Sequence, residues 1–289
     1  MSRRPSFGVV VLTQGRRPDE LSRALRGVLG QRGVDLDVVV VGNGWEPSGL
    51  PPGVSAVGLA DNVGIPAGRN AGVAHVSGDL LFFLDDDACL PDPDALARVA
   101  ALFEVHTDLG VVQPRVIDPE GRPAPRRWTP RLHVGDPARS SDVTALWEGA
   151  VAIRRALFER IGGWAGEFFY AHEGIDLAWA AWDAGVRVRY QGDIVVHHPA
   201  VAPTRHADLY RLSARNRVFL ARRRLPLPMA ILYLLIWSVL TVSRVRGRTA
   251  LRQSLRGAIE GFRGDAGPRR PMSWLTIVRM TRAGRPPLI

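Results

Sequence analysis

The 289-residue chain is 46% apolar and 23% charged, a balance that supports a buried core and excludes wholesale disorder. A single cysteine, Cys89, excludes a disulfide framework and a cysteine-built zinc site. All 38 basic residues are arginine, and they are unevenly placed. Residues 1–200 carry 20 Arg against 25 acids, a net of −5, whereas residues 201–289 carry 18 Arg against three acids, a net of +15. A mildly acidic body with a strongly basic tail points to a polyanionic surface near the C-terminus, membrane or nucleic acid. The opening MSRRPSFGVVVLT lacks the pattern of a cleavable leader, and the lone cysteine suits a reducing compartment.

The runs FGVVVL (7–12), VVVV (38–41) and LLFFL (80–84) do not alternate polar with apolar, as strands covered on both faces of a parallel sheet do not. Between the first two, DELSRALRGVLGQ places Leu21, Leu25, Val28 and Leu29 at helical spacing, with Asp19 as the expected N-cap and Gly30 and Gly33 closing it. Strand, helix and strand in about 35 residues make a right-handed βαβ unit. A helix over 94–105 follows the LLFFL strand, so the first 110 residues read as a doubly wound nucleotide-binding half. Residues 114–142, rich in Pro and Arg, are expected as a long surface loop. ALWEGAVAIRRALFERIGGW then gives strand into helix, HEGIDLAWAAWDAG a helix, DIVVHH a short strand, and 210–224 a basic helix. Leu225–Ser243 is the most apolar stretch, yet only about 15 residues separate Pro228 from Arg244, short of the ~20 that span a bilayer. With arginines on both sides, it is expected to lie in or dip into a membrane face or to pack on the body, with a true span the lesser alternative, and the amphipathic basic end (271–289) would rest on anionic headgroups.

The sharpest chemical feature is LLFFLDDDACLPD. An apolar strand delivers Asp85, Asp86 and Asp87 at its C-terminal end, where open α/β sheets bind ligands. Three adjacent carboxylates repel one another unless a cation or hydrogen-bond donors compensate. Asp85 and Asp87 suit one Mg2+ or Mn2+ ion that also meets a diphosphate. In DNVGIPAGRNAG (61–72), Gly64 and Gly68 allow close backbone approach to a ligand, and Arg69 offers a fixed fork for phosphate. Glu173 and Asp176, three apart at a helix start, can share one face, although both could simply complement the helix dipole.

These blocks in this order, over roughly residues 7–220, resemble family 2 glycosyltransferases of the GT-A fold, with DDD matching the DxD motif. The whole chain, with its basic extension, looks similar to bacterial sugar transferases of the rhamnosyl or galactofuranosyl type. The resemblance implies a mixed sheet with a Rossmann-like nucleotide half and an acceptor half over 1–220, and a helical, membrane-associated extension over 221–289. It places Thr13 and Asn43 beside base and ribose, and Asp61, Asn62, Gly64, Arg69, Asp85 and Asp86 at the nucleotide sugar. It implies metal ligation by Asp85, Asp87 and a histidine of the VVHH strand, His197 in preference to His198. The family's second acid of the Glu-Asp pair, typically the general base, is Gly174 here, which leaves Glu173 as first choice and Asp176 as second, with His172 a lesser candidate for orienting the base. Trp147, Glu148 and Trp164 match blocks that line the acceptor side. The implied reaction is metal-dependent, inverting transfer from a nucleotide diphosphate sugar to a glycan or lipid-linked acceptor, on the cytoplasmic face of the membrane. Two rivals are weaker. A sugar-nucleotide nucleotidyltransferase would want a glycine-rich loop with a lysine, and a nucleic-acid binder fits the apolar tail less well than a lipid surface does.

Overall fold

The computed structural model describes residues 4–200 and 208–288. The three apolar runs form its centre: β1 (Ser6–Thr13) lies between β2 (Asp35–Asn43) and β4 (Leu80–Asp85), all parallel. β3 (Val54–Leu59) extends the sheet beyond β2. On the other side β7 (Ala150–Arg154) runs antiparallel to both β4 and β5 (Leu109–Ile117). β5 pairs in parallel with β8 (Arg187–His197), and the two-residue β6 (Ser141–Asp142) closes the edge. The result is a mixed sheet of eight strands in the order β3-β2-β1-β4-β7-β5-β8-β6.

Both faces of the central strands are buried, as the non-alternating runs require. Phe7, Val9, Val11, Val40, Phe82 and Leu84 point to α1 (Pro18–Leu29) and α3 (Ala95–Val105). Val10, Val39, Val41, Leu81 and Phe83 point to the opposite layer, with α4 (Arg155–Ile161) and α5 (Glu173–Asp183). α1 begins two residues earlier than expected. Pro18 takes its first position, where the missing N–H costs nothing, and Arg17 precedes it, so Asp19 sits inside the first turn and complements the dipole.

The glycine-rich stretch expected as a ligand loop is largely a helix, α2 (Ile65–Val73). Gly68 and Gly72, four apart, face the sheet; a Cβ there would stand 2.6 Å from Leu12 Cδ1 and 2.5 Å from Val10 Cγ1. Their smallness lets α2 lie directly on β1. The long loop starts at residue 118 rather than 114, because β5 continues to Ile117.

Among the described residues, four helices follow: α6 (Leu209–Arg224), α7 (Leu227–Arg244), α8 (Arg248–Arg263) and α9 (Trp274–Arg282). The boundary expected at 220/221 falls inside α6, whose last turn is tied to α5. Arg224 donates from Nε and Nη2 to the two carboxylate oxygens of Asp176, each at 2.8 Å, and Arg223 Nε adds a bond of 3.3 Å. All three side chains are buried. α8 packs along α6, whereas α7, with mean hydropathy 1.6, has only 11% of its length buried. Its outer side shows Leu227, Ile231, Leu235, Val239 and Val242, and α8 and α9 add Leu255, Phe262, Trp274 and Leu275.

Removing the charge of Asp176 leaves two arginines in the interior without their counter-ion, a change that costs about 3–5 kcal/mol. Asp176→Asn is therefore expected to lower the melting temperature markedly. Thermal unfolding followed by circular dichroism checks this, and an unchanged melt would show that the pair contributes nothing to stability.

Candidate active site

A cleft of about 760 Å³ opens at the C-terminal ends of β1, β2 and β4, beside the residues leading into β7 and out of β8. Sheet register aims the acids into it. Asp85 ends β4, and its N–H donates to the Gly149 carbonyl at 2.9 Å, so Glu148 is carried to the same rim by the β4–β7 pairing. After the Asp85–Asp87 turn, Cys89 pairs with His197 through two backbone hydrogen bonds of 2.9 Å.

That pairing decides which histidine meets the acids. His197 is taken up by the bridge to Cys89 and its ring lies on the other side of the strand. His198 falls on the side of Val196 and Ile194 and is buried. Its Nε2 is 3.0 Å from Asp87 Oδ1 and 4.0 Å from Asp85 Oδ2. Single ligand atoms of Asp85, Asp87 and His198 lie within 4.8 Å of one another. The candidate metal ligand is thus His198, and the expectation of His197 is corrected.

The donor set fits a divalent cation. Two carboxylates and one imidazole suit Mn2+ or Mg2+. His198 Nδ1 is 2.8 Å from the Pro199 carbonyl oxygen, which assigns a proton to Nδ1 and leaves Nε2 as the nitrogen that meets the acids. The rings of Trp147 and Trp128 stand edge-on to the imidazole, at 4.9 and 5.5 Å between centroids, and fix its plane. Burial would lower the His198 pKa, but the hydrogen bond and charge of Asp87, helped by Asp85, raise it instead.

The remaining acids are compensated by cations and donors. Asp86 is buried, accepts from Thr13 Oγ1 at 2.6 Å and pairs with Arg17 Nη2 at 2.7 Å. Burial dominates and pushes its pKa up to about 6, against the opposing pull of Thr13 and Arg17. Arg17 also grips Asp87. Arg69, 1% exposed, holds Asp85 Oδ1 at 2.7 Å from Nη2 and lies 5.1 Å above the Trp164 ring. Its Nε and Nη1 have no hydrogen-bond partner among the described residues.

The second acid set sits at the start of α5. Glu173 is buried, lines the cleft, and its Oε2 has no hydrogen-bond partner among the described residues. Burial, with the neighbouring Glu148 charge adding to it, pushes its pKa up to about 8. Glu148 Oε1 accepts the Gly174 N–H at 2.8 Å. A Cβ on residue 174 would stand 2.6 Å from that oxygen and 2.7 Å from the Leu146 carbonyl oxygen. The absent side chain at 174 is therefore the space that Glu148 occupies.

The turn leading into Glu173 is strained. Phe169, Ala171 and His172 all have left-handed φ values of 60°, 71° and 71°, each costing on the order of 1–3 kcal/mol for a residue with a Cβ. Asn216 of α6 offsets this. Its Nδ2 lies 2.7–2.8 Å from the carbonyl oxygens of Phe168, Tyr170 and Ala171. His172 also lines the cleft, with its pKa lowered to about 3 by burial and then by Arg217 and Arg285, so it is neutral.

Other expected residues serve elsewhere. Asp176, second choice as base, is locked in its ion pair and does not line the cleft. Trp164 lies in the core, edge-on to Phe83 at 5.2 Å, and is anchored by two hydrogen bonds with Asn70 rather than facing an acceptor. Asp61 and Asn62 are exposed and, with Gly64, lie outside the cleft lining. Asn62 and the Val63 N–H instead hold Asn43, whose amide bonds to Asn62 Oδ1, the Gly64 carbonyl and Val63 N–H. Asn43 and Thr13 line the cleft, but their side chains are already engaged in building it. Gly64 has φ 86°, and a Cβ there would stand 2.6 Å from the Phe169 backbone, so its role is to admit the strained turn. Trp147 and Glu148 line the cleft as expected. Arg17, Tyr170, Asn216 and Arg285 carried no sequence signal beyond their residue type. His198→Ala is expected to weaken Mn2+ binding at least about tenfold, whereas His197→Ala leaves it within twofold. Titration of Mn2+ by electron paramagnetic resonance measures both, and the opposite ranking would restore His197.

Comparison with known proteins agrees with this geometry. The model of glycosyl transferase family 2 matches residues 9–162. Comparison with curated proteins gives no match. Among solved structures, the chain resembles the mannosyltransferase PcManGT from Pyrobaculum calidifontis, in complex with GDP-Man and Mn2+ (TM-score 0.54, 16% identity, covering 98% of this chain and 74% of that one). It also resembles GalNAc-T7 with UDP, GalNAc and Mn2+ (0.62, 13% identity, 87% and 54%) and TarS residues 1–349 of S. aureus in complex with UDP-GlcNAc (0.58, 15%, 89% and 81%). The chain thus spans about half the length of GalNAc-T7. At these identities the likeness is one of fold, the GT-A arrangement. With the family model covering more than half of its length, the chain belongs to glycosyl transferase family 2.

Proposed function

We propose that this glycosyltransferase is inverting and depends on a divalent cation, moving a sugar from a nucleotide diphosphate sugar to an acceptor hydroxyl in cell-envelope or related glycan synthesis. The observation that carries the reading is one cleft holding two unlike acid sets: Asp85, Asp87 and His198 in a metal-binding cluster, and Glu173 buried with a free carboxylate oxygen. The GDP-Man and UDP-GlcNAc of the fold neighbours support a nucleotide diphosphate donor.

A cation held by Asp85, Asp87 and His198 would supply positive charge to the departing diphosphate. Arg17 and Arg69 hold the carboxylates in position for it. Glu173 Oε2 accepts the proton of the acceptor hydroxyl. The oxygen's electron pair forms the bond to the anomeric carbon as the bond from that carbon to the diphosphate oxygen breaks. A single displacement from the face opposite the leaving group inverts the configuration. Burial and Glu148 make Glu173 basic enough to act near neutral pH.

Because Glu173 must be ionised and its pKa is raised, kcat/KM is expected to climb as pH rises through about 8 and to level off above it. Glu173→Gln should lower kcat at least about a hundredfold while UDP or GDP binding with Mn2+ stays unchanged. Nucleotide release from a panel of UDP-, GDP- and dTDP-sugars reads both effects. Undiminished turnover in the variant removes Glu173 as the base, and full activity in excess EDTA removes the cation.

The reading extends to location, on the cytoplasmic face of an anionic membrane. What supports it is the outer side of α7, α8 and α9, where exposed Leu, Ile, Val, Phe and Trp side chains are interspersed with Arg248, Arg252, Arg256, Arg263 and Arg282. Each aliphatic or aromatic side chain fully withdrawn from water contributes about 1.5–3 kcal/mol, and each arginine adds attraction to anionic headgroups. The protein is expected to float with phosphatidylglycerol-containing vesicles and less with pure phosphatidylcholine, the difference shrinking as salt rises. Equal recovery without vesicles would exclude membrane binding.

A further inference from the structure

The chain enters the helix that carries Glu173 by an unusual path. The N-cap of α5 is His172, with φ 71° and ψ −1°, and Ala171 and Phe169 before it are left-handed as well. Residues with a Cβ rarely adopt that region, and a run of them persists only where the surroundings over-determine it. Here the surroundings act on the carbonyl oxygens. Asn216 Nδ2 donates to those of Phe168, Tyr170 and Ala171 at 2.8, 2.7 and 2.7 Å. Arg215 Nη2 donates to those of Glu167 and Phe168 at 3.3 and 2.7 Å. The Ile65 N–H, at the start of α2, donates to that of Phe169 at 2.7 Å. Every carbonyl from Glu167 to Ala171 is thereby held from outside the turn.

Asn216 is built for this contact. It is fully buried in the middle of α6, a place where asparagine favours neither the helix nor an apolar core. Its Oδ1 accepts from Arg215 Nε at 2.9 Å. A guanidinium only donates, so this bond fixes the oxygen end of the amide and turns the NH2 end to the carbonyls. Two helical turns further along α6, Arg223 and its neighbour Arg224 hold Asp176 of α5. Glu173 therefore lies between two points fixed to α6, the turn before it and Asp176 after it.

We propose that Asn216 is a positioning residue for Glu173: by holding three carbonyls it keeps the left-handed turn, and the turn keeps the Glu173 carboxylate aimed into the cleft. Asn216 does not line the cleft itself, so its effect passes through Glu173. The inference rests on the reading of Glu173 as proton acceptor. It adds the residue by which the helices after 208 enter the reaction.

The test compares four full-length proteins: wild type, Asn216→Ser, Glu173→Gln and the double variant. The assay is nucleotide release from whichever UDP-, GDP- or dTDP-sugar the wild type turns over with Mn2+. Asn216→Ser is expected to lower kcat about ten- to a hundredfold, the loss expected when a reacting group is misplaced by about 1 Å. KM and UDP or GDP binding in Mn2+ should stay within about twofold, which shows that fold and donor side are intact. In the Glu173→Gln background the same substitution should cost less than about twofold, because no proton acceptor is left to position. Amide hydrogen exchange read by mass spectrometry without ligand should quicken at least about tenfold over residues 168–176 and stay unchanged over β1 and β4. Should Asn216→Ser not fold, Arg215→Met takes its place. It removes the guanidinium that holds Asn216 Oδ1, keeps the apolar stem, and should give a several-fold loss with the same dependence on Glu173. Full kcat in the folded variant overturns the proposal. So does an equal loss in both backgrounds, or a matching loss of nucleotide binding, either of which would reduce Asn216 to a part of the scaffold. Undiminished turnover in Glu173→Gln would instead strike the reading of Glu173 as the base, while unchanged exchange over 168–176 would strike the hold of Asn216 on the turn alone.

Discussion

Three adjacent carboxylates at the end of a buried strand are the constraint around which the site is built. Asp85, Asp86 and Asp87 emerge from a strand with no exposed residue before the first of them, so solvent alone cannot relieve their repulsion. Each is answered by a different element. Arg69 of α2 takes Asp85, Thr13 of β1 and Arg17 before α1 take Asp86, and His198 beyond β8 joins Arg17 on Asp87. Four segments far apart in sequence are thereby drawn to one point, and that point is where a cation and a diphosphate have their natural partners.

The helices after residue 208 belong to this machinery as much as to any surface function. Asn216 holds three carbonyl oxygens of the strained turn from Phe168 to Ala171, and without it the turn that presents Glu173 has little reason to stay in left-handed conformations. Arg223 and Arg224 fasten the other end of the same helix through Asp176. The carboxylate pair Glu173 and Asp176 is therefore split by its surroundings. One faces a cleft with its pKa raised by burial, and the other is paired with two guanidinium groups. The tail continues past α9 to bring Arg285 back to the cleft, so the apolar outer helices and the reaction site are joined by covalent chain as well as by packing.

Some elements were legible because the sequence encodes them locally. Runs such as VVVV and LLFFL bury both faces of a strand and read as such, and DDD at the end of one of them announces a charged site. Others were not legible because the deciding partner is distant. Gly68 looks like a ligand-loop glycine, yet it and Gly72 are packing glycines whose neighbours are Leu12 and Val10. Both residues before the histidine pair are valine, so polarity gives no parity, and only the bridge between Cys89 and His197 turns His198 inward. Gly174 reads as a lost acid until Glu148, 26 positions earlier, is seen to fill its space.

The sequence by itself determined the class of architecture, the family and the position of the acid cluster, because strand burial, helix period and an ordered series of motifs are properties of contiguous residues. Tertiary structure alone decided which histidine joins the aspartates, which of two helix acids faces the cleft and which forms a structural ion pair, and that Trp164 is core. Those outcomes depend on pKa, parity and free space, and all three are set by groups that meet only after the sheet has formed.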